Sequence, residues 1–398
     1  MKNTLTRRAA KLRTGILLVA ITCALGSCVT PVRADDAALQ REIDALKQRL
    51  QKLEDELAKK KPEATAANAD SLKTPRGSRV QISGFAEIRA TNVGNPTGDR
   101  VRNGELDFEI ARFRPRINYL LDDHWMATAQ FNLSTRSAGV ASVNTRDAYI
   151  QYSNAAYFVR LGEQKVPFGW EVFREGDEPR AALERARIMG ILFPDERDIG
   201  AVASWSPSKA WIPKEKLGTD IPDRPALSIG VLNGDGINRI DGDPDKSFAV
   251  NAIAPIGPHN VVGASAYTGT TTRARPAPHQ NEFHSTVKQA IGVEYRNSYG
   301  RFSTQAEYLW GHAFTADLNG GYGQLLYNAG TPGNVFVRHD VFDPSGSAVG
   351  DYWHRTGFGW YKDFTKQMRI TAEYDLVHNK LTHTHNDHTF GLEVQANF

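Results

Sequence analysis

From Val80 onward the chain alternates apolar and polar side chains with a period of two, in runs longer than ordinary soluble strands. In VQISGFAEIRA (80–90), Val80, Ile82, Gly84, Ala86, Ile88 and Ala90 share one face, while Gln81, Ser83, Glu87 and Arg89 share the other. The alternation returns in HWMATAQFNLS (124–134) and again at 288–296, 301–310, 367–377 and 388–398. Soluble sandwich strands average about 5–6 residues, whereas strands that cross an outer membrane take about 9–11. The runs here span roughly 9–14 residues, and their polar faces read as polar throughout, as a water-filled lumen requires.

The connections alternate in length as well. Short ones, LDD (121–123), SNAA (153–156), PIGPH (255–259) and NSYG (297–300), interleave with long ones at 92–104, 135–144, 165–197, 234–245 and 270–284. That is the pattern of short periplasmic turns and long external loops, with 206–224 as a long connection where a short one is due. Fourteen clear strands and two weaker ones, at 321–328 and 335–341, make an even sixteen. The expected fold is therefore all-β, a 16-stranded antiparallel transmembrane β-barrel over 80–398, preceded by an N-terminal coiled-coil helix. A soluble sandwich is the competing reading, and it calls for shorter strands and mixed polar faces.

The N-terminus supports export. Lys2, Arg7, Arg8, Lys11 and Arg13 precede the apolar run ILLVAITCALG (16–26), which is too short to span a bilayer. Residues 1–34 are expected to be a signal peptide cut after Ala34. A rival site, Leu25-Gly26-Ser27-Cys28, would leave Cys28 lipidated. Both cysteines of the chain lie in this segment, so cleavage after Ala34 leaves no thiol nucleophile, thiolate-zinc site or disulfide. The signal also carries six bases and no acid, so the precursor's formal charge of +3 becomes −3 after cleavage, and −4 for 80–398 alone. A basic surface for nucleic acid is thereby excluded.

Residues 35–61 carry Leu39, Ile43, Leu46, Leu50, Leu53 and Leu57 at alternating spacings of four and three, the seam of a periplasmic coiled coil. The alternative is a lone amphipathic surface helix, and the mix of Ile and Leu leaves two or three strands open. Residues 62–79 are Ala, Pro and polar, a linker. At the other end, Phe390, Leu392, Val394, Ala396 and Phe398 form the apolar face of a final strand that stops at an aromatic residue. Phe398 is the expected signal for the barrel-assembly machinery.

DAYIQY (147–152), VRLGEQKVPFGWE (159–171), LFPDERDIGA (192–201) and SIGVLNGDGIN (228–238) resemble the phosphate-selective porin O/P family. The resemblance implies a homotrimer of 16-stranded barrels set in outer-membrane lipid, passing small hydrophilic solutes by diffusion. It also implies a long third loop folded into each lumen, with basic residues that favour small anions such as phosphate. The third long connection, 165–197, matches that loop by order and by motif. Its bases Lys165, Arg174, Arg180, Arg185, Arg187 and Arg197 stand among Glu171, Glu175, Asp177, Glu178, Glu184, Asp195 and Glu196. They could contact a passing anion or pair with those acids and the wall.

A second candidate lies in the second strand. Arg112, Arg114 and Arg116 are spaced by two and so share a face. Facing lipid would cost about 2–4 kcal/mol each near the midplane, so they are expected in the lumen, at intervals of about 6.6–7 Å. They read equally as an anion ladder or as partners for acids on the constriction loop or on Glu105, Asp107 and Glu109. Pro115 removes a donor and predicts a bulge there.

Other chemistry is thin. His378, His383, His385 and His388 cluster in what reads as the final long loop, either a soft-metal site or a polar external loop. No spacing fixes a metal site or a cofactor, and none is expected. A general or cation-preferring porin is the alternative within the fold. An outer-membrane hydrolase is the alternative from another class, but no motif places a Ser beside a His.

Overall fold

The structure, a computed structural model, describes residues 79–93, 106–135, 141–154, 156–175, 180–207, 224–272, 286–313, 316–344, 352–379 and 385–398. The expected signal peptide, coiled coil and linker up to residue 78 lie outside these residues. The strands are β1 (Val80–Val93), β2 (Leu106–Leu120), β3 (Trp125–Ser134), β4 (Ser142–Ser153), β5 (Tyr157–Lys165), β6 (Arg197–Trp205), β7 (Ala226–Leu232) and β8 (Ser247–Pro255). They continue as β9 (Asn260–Thr271), β10 (Thr286–Tyr299), β11 (Phe302–Ala313), β12 (Ala316–Asn328), β13 (Asn334–Asp343), β14 (Trp353–Asp363), β15 (Met368–Asn379) and β16 (His385–Asn397). Each pairs antiparallel with its sequence neighbours, and β1 closes on β16, giving the expected sixteen-strand barrel. The two segments that read weakly in sequence are full strands, β12 and β13.

Alternation sorts the side chains between two solvents. Ile88, Ile291 and Val293 are about half exposed on the outer wall, whereas Glu87 and Arg89, one position away from Ile88, are buried within the lumen. A continuous apolar exterior of this kind suits lipid and would be a liability in water.

Closure depends on the last residue. The Phe398 N–H donates to the Gly84 carbonyl at 2.9 Å, and the Gly84 N–H donates to the Phe398 carbonyl at 2.8 Å. The Phe398 ring lies 6.0 Å from that of Phe113, centroid to centroid. A Cβ on Gly84 would stand 2.5 Å from the Arg114 carbonyl oxygen and 2.8 Å from the Phe398 ring, so only glycine fits this junction.

Three sequence expectations need correction. The bulge of β2 falls at Ala111, not Pro115: Glu87 pairs with Arg112 and Ile88 with Ile110, leaving Ala111 as the extra residue. Pro115 stays in register opposite Gly84, whose own N–H is engaged by Phe398. The bulge resets the alternation, so Glu109 above it and Arg112, Arg114 and Arg116 below it all reach the lumen. The histidines do not share a loop either. His378 is the penultimate residue of β15 and His385 and His388 belong to β16, while His383 lies outside the described residues.

The third correction concerns the lumen wall, which is not polar throughout. Phe158, Val202, Leu232, Tyr267, Ala290 and Leu309 form a buried apolar cluster with Val166, Phe168, Val172, Ile188, Met189, Leu192 and Phe193 of the third long connection. The connection therefore lies inside the barrel with its own apolar face, and the wall offers it a matching seat. Small residues make room: Pro167 meets Gly230 and Leu192 meets Gly311.

Candidate functional site

The site is built by residues 166–175 and 180–196, which lie in the lumen between β5 and β6 in the chain. The first limb is a π-helical turn, Gly169–Arg174, and the return limb carries a short helix α1 (Arg187–Leu192). Gly169 takes φ +69°, and a Cβ there would lie 3.1 Å from Glu307 Oε1. That freedom brings the backbone onto the wall. The Trp170 N–H donates to Glu307 Oε1 and the Glu171 N–H donates to Glu307 Oε2 at 3.1 Å. A carboxylate thus satisfies the donors that open the turn, as anions do at helix starts.

Charged pairs then fasten the loop around its circumference. Arg338 of β13 donates from Nη1 to Glu171 Oε1 at 2.6 Å and from Nη2 to Asp340 Oδ1 at 2.8 Å. The same Glu171 accepts from the Ala186 N–H at 2.9 Å, so one buried carboxylate joins both limbs to the wall. Arg89 of β1 reaches Glu184 at 2.5 Å and Glu393 at 2.7 Å. The Leu183 N–H donates to Glu373 Oε2 at 2.6 Å, and Arg355 donates to the Glu184 and Arg185 carbonyls at 3.1 and 3.2 Å. Both limbs are tied to β13, and the return limb also to β1, β14 and β15.

Most of the expected anion contacts are occupied by these duties. Arg112 pairs with Glu87 at 3.1 Å, Arg114 Nε donates to Asn132 Oδ1 at 2.8 Å, and Arg116 pairs with Asp147 at 2.5 Å. All three face the lumen as expected. These partners belong to β1, β3 and β4. Lys165 donates to the Glu175 carbonyl at 2.6 Å, and Arg174 donates to Asn251 Oδ1 at 2.6 Å. Arg185 donates to the Glu171 carbonyl at 2.9 Å and pairs with Glu196.

Two bases are different. Arg180 is 9% exposed, its Nη2 donates to the Leu183 carbonyl at 3.3 Å, and its Nη1 is buried with no hydrogen-bond partner among the described residues. Among the described residues no carboxylate forms an ion pair with it. Burial, with Arg185 and Arg112 nearby, lowers its pKa to about 10, which still leaves it charged at neutral pH. Arg187 is exposed and lies against two rings, with its guanidinium carbon 5.2 Å from the Trp353 ring centroid and 5.9 Å from that of Phe342.

Glu196 shows the opposite balance. Burial works against its charge, but Arg185, then Lys165, Arg197 and Arg146, outweigh burial and hold its carboxyl down at about 2. Sequence reasoning missed the wall anchors Arg89, Glu307, Arg338, Arg355 and Glu373. Their lumen parity was readable, but the loop residues they meet were not.

The chain matches the model of the phosphate-selective porin O and P family over residues 87–398. No curated protein sequence matches it. Among solved structures it is similar to a loop L8 deletion mutant of OmpT, an outer membrane protein of Vibrio cholerae, at 11% identity and TM-score 0.57, covering 80% of this chain and 99% of that one. It is also similar to the outer membrane channel DcaP of Acinetobacter baumannii, at 12% identity and TM-score 0.55 over 82% and 99%. A complex of Salmonella typhi OmpF with daunomycin gives 12% identity and TM-score 0.51 over the same shares. At such identities these likenesses speak to the fold alone, whereas the family match runs from the middle of β1 through β16. The chain belongs to the phosphate-selective porin O and P family.

Proposed function

We propose that this outer-membrane porin passes small hydrophilic solutes by diffusion and prefers anions, phosphate among them, with Arg180 and Arg187 as the contacts that act on a passing ion. The observation that carries this reading is the buried Nη1 of Arg180, a cationic donor inside the lumen with no hydrogen-bond partner among the described residues. An oxyanion supplies what that donor lacks, and a charge-assisted hydrogen bond to a guanidinium is among the stronger contacts available. Arg112, Arg114, Arg116, Lys165, Arg174 and Arg185 act instead by shaping the constriction and holding its loop. Selectivity in a pore follows from such local fields rather than from net charge.

The cation-preferring alternative draws on the barrel's net acidity and on buried lumen carboxylate oxygens without hydrogen-bond partners, in Glu175, Glu373 and Asp375. The proposal extends to a homotrimer with the coiled coil in the periplasm, and to Phe398 as the signal read by the barrel-assembly machinery. Phosphate block of chloride current across a planar bilayer tests the anion reading. Millimolar phosphate should reduce wild-type chloride conductance, and Arg180→Gln should weaken that block several-fold. Equal block in both proteins would remove Arg180 from the account.

A further inference from the structure

We propose that Asp375 is a positioning residue of the constriction: it shares one proton with Glu373, and that proton holds Glu373 where it accepts the Leu183 N–H of the return limb. The inference rests on the seating of the loop and not on the ion preference, so the two stand or fall separately.

Glu373 and Asp375 are two apart on β15, between Tyr374 and Leu376, which lie on the outer wall. Both carboxyl groups therefore face the lumen. Neighbouring strands leave them room. Gly357 of β14 stands opposite Asp375, while Gly359 of β14 and Gly391 of β16 flank Glu373. A Cβ on Gly357 would lie 2.6 Å from Asp375 Oδ1 and 2.8 Å from Glu373 Oε1, so the two groups crowd over one glycine. Each is within hydrogen-bond reach of the other.

These two oxygens are buried, and no N–H or O–H among the described residues donates to either. Glu373 is 2% exposed, and its other oxygen is already engaged by the Leu183 N–H at 2.6 Å. Two bare carboxylates repel at such range, and both oxygens are acceptors. A single proton between them turns one acceptor into a donor and satisfies both at once.

The surrounding charges offer no other solution. On β14, Arg355 holds its Nη1 3.8 Å from Asp375 Oδ2, but its Nε donates to Asp340 of β13 at 2.8 Å and its Nη2 to the loop carbonyls. On the loop, Glu184 pairs with Arg89 of β1 at 2.5 Å, and Glu393 of β16 pairs with the same arginine at 2.7 Å. On β15 itself, Arg369 pairs with Asp363 at 2.6 Å. One proton leaves the Glu373–Asp375 pair with a single negative charge opposite Arg355. Losing it sets two negative charges side by side, and Glu373 relieves them by swinging away from Leu183. The seat is therefore complete while the proton is held and weakens as the pH rises.

Hydrogen exchange of the full chain in detergent, read at the loop peptide containing Leu183 and corrected for the intrinsic pH dependence of exchange, tests this at pH 6 and pH 9. Wild-type protection should fall about tenfold between the two. Glu373→Gln keeps the shape and gives Asp375 an N–H in place of the proton, so protection should stay at the wild-type pH 6 level at both. Gly357→Ala keeps both carboxyl groups but sets a methyl against their oxygens, which are side-chain ends able to move aside. Its protection should already be about tenfold lower at pH 6, with no further fall by pH 9. Wild-type protection within twofold at the two pH values would overturn the proposal. So would a fall of wild-type size in Glu373→Gln, which would assign the pH response to another group, or wild-type behaviour in Gly357→Ala. None of these measurements reads ion selectivity, so failure here leaves the anion reading standing.

Discussion

Glu171 offers the sharpest perturbation of the constriction. Its side chain is fully buried, with one oxygen 2.6 Å from Arg338 Nη1 and the other 2.9 Å from the Ala186 N–H. Glu171→Ala removes the strap between the two limbs and the wall at one stroke. Breaking a buried ion pair costs about 3–5 kcal/mol when the other charge is stranded. Arg338 keeps Asp340, at 2.8 Å, so it is not stranded and that part of the loss should fall below this range, to about 1–2 kcal/mol. The Ala186 N–H is left without its acceptor, at about 1–3 kcal/mol. A net weakening of about 3 kcal/mol is expected, which corresponds to roughly a 100-fold rise in the open population of the loop. Trypsin reads that population through cleavage after Arg185 or Arg187, in the regime where reclosing outpaces cutting. Cleavage should accelerate roughly 100-fold in Glu171→Ala and about tenfold in Glu171→Gln, which keeps the shape but loses the charge. Open-channel current noise should rise in the same order. Cleavage rates within twofold of wild type in Glu171→Ala would refute the claim that this carboxylate seats the loop.

Gly84→Ala should destabilise closure by about 1–3 kcal/mol, because its Cβ meets the Arg114 carbonyl at 2.5 Å and the Phe398 ring at 2.8 Å; the temperature at which the barrel loses its compact gel mobility reports this. Phe398→Ala in the same assay should show a smaller loss, from the tilted ring contact with Phe113 at 6.0 Å. Glu196, with its carboxyl held down at about 2, contributes stability that is complete above the ordinary carboxylate range and is lost as pH falls toward 2. The conductance difference between wild type and Glu196→Gln should therefore be constant from pH 8 to 5 and disappear between about pH 4 and 2.

The strands were legible because lipid and water impose opposite demands on successive residues, and the period of two writes both into the chain. VQISGFAEIRA needs no partner to declare its two faces. The order of the constriction loop was legible too, since 165–197 is long and carries the family's motif. The pairing was not. Arg89 meets Glu393, 304 residues away, and no local rule connects them. The direction of Arg112 depends on an extra residue at Ala111, and alanine carries no signal for a bulge. The apolar lumen seat was hidden because Val202, Leu232 and Leu309 read as ordinary breaks in a polar face until KVPFGWEVF and RIMGILF supply their cover. Those two loop segments were the available clue, being too apolar for an external loop.

The central claim is that Arg180 and Arg187, which have no carboxylate partner among the described residues, set the ion preference rather than net charge. The reversal potential of the purified protein across a tenfold potassium chloride gradient tests it most directly. Wild type should reverse with the sign of chloride selectivity, despite a mature chain of formal charge −3. Arg180→Gln with Arg187→Gln should move that potential toward the potassium value, while Arg112→Gln, at a paired position, should move it far less. A cation-selective wild type whose reversal potential is unchanged in Arg180→Gln with Arg187→Gln would contradict the account.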